Sequence, residues 1–452
     1  MTEKQILNYV KNHPAQKVKL AITDIDGVLR GKYISADKFF SVVQGAMGFC
    51  DVTFGWDCND VAYDNATYTG WHTGYPDTPV RIDLKTFRKI PWENDVPFFL
   101  CEAITNEGAP SHVCPRQLFK GIISETEKNG FTPYFSQEFE WFNFEETPKS
   151  ANEKNFRNLT PLTPGMFGYS ILRSTLRNDF FTALSENMQK FNIPLEGLHT
   201  ETGPGVLEAA IAYSGALEAA DRAVLFKTST KEIAYKQGIL ATFMAKVSEN
   251  LPGCSGHVHQ SLWDKKSTKN LFYDAKDKNK MSELFKSYLA GQLYCLPHIL
   301  PMVAPTVNSY KRLVEGAWAP TTVTWSVDNR TVALRALPGG SKSARLETRV
   351  VGSDTNPYLA MSACLAAGLY GIKKNLKLKQ AATIGNGYRD ESNGRFPKNL
   401  DVATQTMRDS KIANEILGER FVQHFSQTRD WEWRQFAKVV TDWEMKRYFE
   451  II

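Results

Sequence analysis

The chain has no C-x-x-C spacing, although it carries 7 cysteines: Cys50, Cys58, Cys101, Cys114, Cys254, Cys295 and Cys364. An odd number so placed speaks against a zinc ribbon or a disulfide framework and points to a reduced, cytoplasmic enzyme. No stretch approaches the ~20 apolar residues that span a bilayer. The opening "MTEKQILNYVKNHP" also lacks the apolar core of a signal peptide, so no membrane association is expected. Strong charge of either sign is missing too. The net charge is +5 over 452 residues, and the basic residues are scattered apart from a short run at Lys373–Lys379. So weak a charge leaves no electrostatic footprint for nucleic acid. Internal repeats, low-complexity linkers and glycine-rich phosphate loops of the P-loop or kinase type are absent as well.

What is present is a soluble composition, with 42% hydrophobic and 23% charged residues, and length enough for one large core with a smaller appendage. "KVKLAITDIDGVLRGKYI" alternates like a strand, turns at Asp26-Gly27 and continues as a second strand, the pattern of a hairpin. Residues 50–80 are rich in Gly, Asp, Asn, Trp and Tyr without a period and read as a long functional loop. "CPRQLFKGIISETEKNG" predicts a helix with Pro115 near its start and Gly130 closing it, which puts a domain boundary near residue 110. Further helices are predicted over Ser170–Phe191, Met281–Leu300 and from Asn356-Pro357 to about Lys374. The fold class expected is α+β, with a small β-rich unit over 1–110 and a large one over 111–452 built on an antiparallel sheet.

Four clusters carry the chemistry. "YFSQEFEWFNF" places Glu138 and Glu140 two residues apart in a strand-like run, so both side chains point to one side. Two like charges among aromatic residues repel each other and resist desolvation unless something offsets them. "HTETGPGVLEAA" holds Glu201 and Glu208, "CSGHVHQSLW" holds His257 and His259, and "SKSARLETRVV" holds Glu347 between Arg345 and Arg349. Each alone is compatible with a solvated strand face. Together, carboxylates with an imidazole suit hard, oxygen-preferring Mg²⁺ or Mn²⁺, and several carboxylates are what a pair of such ions requires. Arg312, Arg330, Arg335, Lys342, Arg345 and Arg349 form either a basic face or a cradle whose guanidinium forks bind carboxylate and phosphate.

"NSYKRLV" (308–314), "DNRTVALR" (328–335), "SKSARLETR" (341–349), "ATFMAKV" (241–247), "HVHQSLW" (257–263) and "NPYLAMSACLAAGLYGI" (356–372) closely resemble the bacterial-type glutamine synthetase family, in family order. The resemblance implies a β-grasp N-terminal domain and a catalytic domain around a curved antiparallel sheet. It also implies homo-oligomers of hexameric rings, usually a dodecamer of two rings, with active sites shared between subunits. Glu140, Glu201 and Glu208 then resemble the ligands of one metal ion, and Glu138, His257 and Glu347 those of a second that bridges nucleotide phosphates. By the same resemblance His259, Ser261 and Trp263 fall at the ATP site and Arg312 at the substrate α-carboxylate. Gly253 falls at the substrate amino group, and Arg330, Arg335, Lys342, Arg345 and Arg349 form the phosphate and γ-carboxylate cradle. The implied reaction moves the γ-phosphoryl group of ATP onto the γ-carboxylate of glutamate, and an amine then displaces phosphate to leave an amide.

Two stretches depart from the ammonia-using members. Six residues after the arginine of "SYKRL" those enzymes carry a loop glutamate; here that place holds Trp318, and Glu315 lies three residues too early. An indole cannot take a proton from ammonium, but it can wall an alkyl or aryl amine, unless it is ordinary loop packing. Their "Asp-Gly-Ser-Ser" is replaced by "WDCND". That leaves Asp57, or Asp60 by a shifted gap, and Asp77 of "TGYPD" as candidate acidic residues at the amine, with Tyr169 as a further wall. Pro252 stands where an asparagine usually precedes the substrate-contacting glycine. The reading is an ATP-dependent γ-glutamyl–amine or polyamine ligase. Ammonia-dependent glutamine synthesis and a non-catalytic structural protein on the same fold are the alternatives.

Overall fold

The structure, a computed structural model, describes Met1–Ile452 and is organised on two sheets. The first orders its strands Leu29–Ser35, Lys17–Thr23, Val96–Ala103, Asp77–Ile82 and Met47–Cys50, with Arg88–Ile90 also pairing with Val96–Ala103. The predicted hairpin is there, in register from Lys17 opposite Ser35 to Thr23 opposite Leu29. Its turn is built by Asp24, whose Oδ1 accepts from the backbone N–H of Asp26 at 3.0 Å and of Val28 at 2.9 Å. Gly27 sits at φ +82°, and a Cβ there would lie 2.9 Å from the Cα of Asn356. The turn therefore docks directly on the start of the Pro357–Lys373 helix. Asn356 caps that helix through Tyr358 N–H and donates its Nδ2 to the carbonyls of Asp24 and Ile25, at 3.0 and 3.2 Å.

The second sheet orders Trp325–Val327, Leu334–Leu337, Arg345–Thr348, Val258–Asp264, Phe131–Phe144, Val206–Ile211 and Leu195–Thr200. Two short strands, Ser214–Gly215 and Leu240–Thr242, also pair with the long Phe131–Phe144 strand. It is antiparallel, as expected, except where Trp325–Val327 runs parallel to Leu334–Leu337. The central strand alternates cleanly. Phe135, Gln137, Phe139 and Trp141 are buried on one face, while Tyr134, Ser136, Glu138 and Glu140 lie on the other. Phe139 and Trp141 pack against Phe226 of the Ala216–Lys236 helix and against Phe243, with ring centroids 5.6–5.8 Å apart. Each such side chain contributes roughly 2–3 kcal/mol by leaving water, and the alternation then obliges both glutamates to face away from the core.

Behind the sheet the Glu283–Cys295 and Pro357–Lys373 helices cross very closely. A Cβ on Gly291 would meet the Ala367 carbonyl at 2.3 Å, and one on Gly368 would meet the Tyr288 ring at 2.1 Å. The helix expected over Met281–Leu300 ends at Cys295 and gives way to single 3₁₀ turns at Leu296–His298 and Leu300–Met302. Pro297 and Pro301 each remove an amide donor there. The run over Ser170–Phe191 is likewise two helices, Ile171–Leu176 and Asn178–Lys190. Ser174 and Thr175 bond back to the carbonyls of Ser170 and Ile171, which favours a bend.

The two sheets share a core, since Ala21, Ile25, Ile90, Phe98 and Leu100 of the first region join the apolar cluster of the second. A buried ion network ties them as well. Arg116 forks onto Asp221 at 2.9 and 3.0 Å and also donates to Glu102 at 2.8 Å and Asp83 at 2.9 Å. No helix is long and apolar enough to cross a membrane.

Candidate active site

Directly paired residues of an antiparallel ladder share a face, and two rungs of the second sheet gather the expected residues. One rung runs Arg335–Glu347–His259–Ser136, and the other His199–Glu208–Glu140. Glu138 lies on the same strand face between them. The contacts follow from this register. Glu138, His259 and Glu347 each bring one ligand atom within 4.8 Å of the others, and so do His199, Glu201 and Glu208. His257 Nδ1 stands 2.8 Å from Glu138 Oε1 and 3.4 Å from Glu347 Oε1. Glu140 accepts from the Ser255 N–H at 2.8 Å.

The electrostatics of these groups call for cations. Burial, then the neighbouring carboxylates Glu138, Glu140 and Glu201, push Glu208 up to about 9. Burial pushes Glu140 up to about 7 against the Ser255 amide and Arg312, with Glu201 and Glu138 adding to the rise. Glu347 behaves oppositely: despite burial, His259, Arg349 and His257 hold it at about 2. Burial and then Arg349 lower His257 to about 4, so its ring is neutral at physiological pH. In the neutral ring Nδ1, which faces only carboxylates, carries the proton, and the lone pair falls on Nε2, which is buried without a partner. His259 differs, because its Nδ1 already accepts from Arg345 Nε at 3.2 Å. The donor set, carboxylate oxygens with a neutral imidazole, fits Mg²⁺ or Mn²⁺.

The guanidinium groups are fixed by their own bonds. Arg349 donates through NH1 to Glu347 and through Nε to the Arg330 carbonyl at 3.0 Å, and Arg335 donates to Glu347 at 2.9 Å and to Asp328. Arg330 and Lys342 are exposed. Arg312 is buried and spreads over the carbonyls of Val350 and Arg349 and the Ser255 hydroxyl, at 3.0–3.1 Å. Ser255, which the sequence reading did not single out, thus joins Glu140 to Arg312. Gly253 is where it must be for this packing. A Cβ there would lie 2.7 Å from both the Ala245 carbonyl and Arg312 Cγ.

Beside His259 a cleft of about 300 Å³ is lined by Ser261, Trp263, Lys342 and Arg345 together with Tyr134 and Tyr213. Trp263 donates to Ser261 Oγ at 3.0 Å, and Tyr134 lies 5.5 Å from the Trp263 ring and 6.1 Å from Tyr213. Both tyrosines escaped the sequence reading, though Tyr134 shares the alternation of Glu138. A larger groove, about 740 Å³, opens among the helices of residues 115–128, 357–373 and 419–437 and contains neither carboxylate cluster.

The residues expected at the amine are placed differently from one another. Tyr169, at φ +56°, stacks on His199 with centroids 4.4 Å apart and is 69% exposed. His199 was also missed, although "HTE" sets it two residues before Glu201. Trp318 is 58% exposed and sits at φ +57° in its loop, while Glu315 lies 3.9 Å from Arg389. Asp77 is exposed at the start of its strand. Asp57 is buried and closes its own loop, accepting from the N–H groups of Asn59 and Val61 and from Trp431 Nε1 at 2.9 Å. Asp60 is bound by Arg30 at 2.6 Å.

A two-sheet α+β protein with paired carboxylate–imidazole clusters and an arginine cradle is the class these features define. Comparison with known proteins agrees. Residues 112–448 match the family described as glutamine synthetase, catalytic domain. The chain is 55% identical to type-1 glutamine synthetase 2 of Dictyostelium discoideum, over 100% of its own length and 87% of that protein's. It is 36% identical to a glutamate–isopropylamine ligase of a Pseudomonas species, over 100% and 99%. A solved GmaS/ADP complex superimposes with a TM-score of 0.86 at 25% identity, covering 99% of this chain and 100% of that one. The chain belongs to the glutamine synthetase family. It is an ATP-dependent carboxylate–amine ligase that acts on small molecules and uses a divalent metal.

Proposed function

We propose that the enzyme joins the γ-carboxylate of glutamate to an organic amine. The observation that carries this is Trp318, an exposed indole at the place where ammonia-using members keep a glutamate, with Glu315 turned toward Arg389 instead. An ammonium ion finds the loop's carboxylate, Glu315, turned to Arg389 and not placed to hold it and accept its proton, whereas an alkyl or aryl amine gains apolar surface and a π face. Tyr169, stacked on His199, offers a second aromatic wall. The identity to glutamate–isopropylamine ligase supports the same reading, and the higher identity to a protein named glutamine synthetase supports the ammonia-dependent alternative.

Glu140, Glu201 and Glu208, with His199 beside them, are assigned to one divalent ion, and Glu138, His257 and Glu347 to the other. Bound there, the cations offset the carboxylate repulsion and the charge of the transferring phosphoryl group. The aromatic cleft of Tyr134, Trp263 and Tyr213 takes the nucleotide base, with Ser261 beside it and His259, Lys342 and Arg345 toward the phosphates. Arg312 grips the α-carboxylate of glutamate beside Gly253, and Arg330, Arg335 and Arg349 steady the γ-carboxylate as it takes the phosphoryl group. The glutamate carboxylate oxygen attacks the γ-phosphorus and ADP leaves; the amine nitrogen then attacks the acyl carbon, gives up its proton to Asp77 of the neighbouring subunit and expels phosphate. Residues 1–110 act as the N-terminal unit of a homo-oligomer of hexameric rings, lending Asp77 to a neighbouring site.

The test is phosphate release from ATP and glutamate across mono-, di- and aryl amines, with ammonium included. At least one amine is expected to exceed ammonium in kcat/KM; ammonium ahead of every amine makes this a glutamine synthetase in the strict sense.

A further inference from the structure

On the face of the sheet turned away from the site lies a closed ring of buried polar side chains. Gln260 follows His259, and Thr348 follows Glu347, so each points to the opposite face from its metal-facing neighbour. Gln260 Nε2 donates to Thr348 Oγ1 at 2.8 Å, and Thr348 Oγ1 donates to Gln292 Oε1 at 2.8 Å. Gln292 Nε2 returns the bond to Gln260 Oε1 at 2.7 Å. Tyr288 OH adds a second donor to Gln260 Oε1 at 2.7 Å, and Gln292 Nε2 also reaches the Cys364 carbonyl at 2.9 Å. All four side chains are at most 2% exposed. Their side chains hydrogen-bond only to one another and to the Cys364 carbonyl, and the proposed chemistry leaves them without a task.

The ring has a geometric consequence. In the ladder His259 stands opposite Glu347, so Gln260 and Thr348 are diagonal neighbours, opposite Leu346 and Val258 respectively. A diagonal bond is made at one stagger of the two strands. Apolar side chains would pack at several staggers, and a slip of one residue would turn His257, His259 and Glu347 out of the site. Polar groups with no access to water resist that slip, because the Gln260–Thr348 bond and the bonds of both to the helix side chains would be lost. Gln292 and Tyr288 reach the ring because the two helices cross at Gly291 and Gly368 with no room for a Cβ. The stagger of the strands is thereby referred to the helical layer.

We propose that Gln260, Thr348, Gln292 and Tyr288 are positioning residues that set the spacing between His257 and Glu347, and with it the affinity of the ion these residues share with Glu138. This rests on the two-ion reading above. The other ion, assigned to Glu140, Glu201 and Glu208, shares the Phe131–Phe144 strand but takes no ligand from the two strands that the ring staggers, Val258–Asp264 and Arg345–Thr348. The experiment is Mn²⁺ titration of the full-length protein by calorimetry and by electron paramagnetic resonance of the free ion. Thr348→Val keeps the shape and removes the hydroxyl, and Thr348→Ser restores it. Thr348→Val is expected to weaken one of two Mn²⁺ equilibria about 10–100-fold, the range for loss of outer-shell support. The other equilibrium and the KM for glutamate hold, while the KM for ATP rises. Thr348→Ser returns the wild-type titration. Should Thr348→Val not fold, Tyr288→Phe removes a single hydroxyl from the ring and is expected to weaken the same ion several-fold. Unchanged affinities, or equal weakening of both ions, overturn the proposal. A wild type that binds no Mn²⁺ overturns the two-ion reading itself, and two wild-type ions with an indifferent Thr348→Val overturn the positioning role alone.

Discussion

Replacing Gly253 by alanine adds one carbon where the structure has no room for it. The new Cβ would sit 2.7 Å from the Ala245 carbonyl oxygen and 2.7 Å from Arg312 Cγ, both inside van der Waals contact. The carbonyl is held, because it accepts from the Cys254 N–H at 2.8 Å. The side chain of Arg312 must therefore give way. Its guanidinium is clamped by two carbonyls and the Ser255 hydroxyl, so relief on the stem drags the charged head from its place. Overpacking of this kind costs about 1–3 kcal/mol in stability, which a chain with so large a core withstands. The functional loss is greater in kind, since a displacement of about 1 Å in a group that orients substrate lowers turnover efficiency by about 100-fold. Gly253→Ala is expected to raise the KM for glutamate strongly, by one to two powers of ten, while the KM for ATP stays near the wild-type value. Steady-state phosphate release, with glutamate and ATP varied in turn and a thermal melt to confirm folding, reads both. A variant that folds and keeps its glutamate KM would refute the reasoning, because Arg312 could then not be the carboxylate grip.

Trp318→Glu is expected to narrow the preference for amine over ammonium by at least about tenfold in kcat/KM, measured on the same amine panel. Mixing inactive Asp77→Ala with inactive Glu140→Ala chains is expected to restore part of the activity on co-assembly; mixtures that stay dead argue against a shared site. Arg116→Met leaves Asp221 buried without its cation and takes one of two cations from Glu102, which keeps Lys120 at 2.8 Å, and is expected to cost ~3–5 kcal/mol in chemical denaturation. His424 is buried with both ring nitrogens unpartnered, and burial lowers it from 6.5 to about 3. Its folded value lies below its unfolded one, so its stability contribution is whole above pH 6.5 and is lost as pH falls toward 3. His424→Phe should flatten that part of the stability–pH curve.

The parts of the site that sequence could reveal are those set by alternation along one strand. Glu138 with Glu140, His257 with His259, and Arg345, Glu347 and Arg349 each share a face because residues two apart in a strand must. Partners across strands were out of reach. His199 matters because its strand registers it against Glu208, and that register comes from packing far along the chain. Tyr213, Ser255 and the Gln260–Thr348–Gln292 ring are hidden for the same reason. Asp57 shows the opposite limit: "WDCND" looks like a ligand loop, but Trp431, 374 residues later, occupies its free oxygen. Helix ends were misjudged where Pro297 and Pro301 interrupt an otherwise apolar run.

The turn at Asp24–Gly27 is finished by Asn356, whose amide reaches the Asp24 carbonyl across 332 residues of chain. A ribosome adding roughly 5–20 residues per second needs about 17 to 66 seconds to supply it. Through that interval the nascent hairpin has its own ladder but an open face, with Ile25 exposed. The first sheet is thus made early and sealed late, and the closing of a very long loop sets the order of events. Chains released before Asn356 emerges should present that face to chaperones, and the final helices complete the N-terminal fold as much as their own.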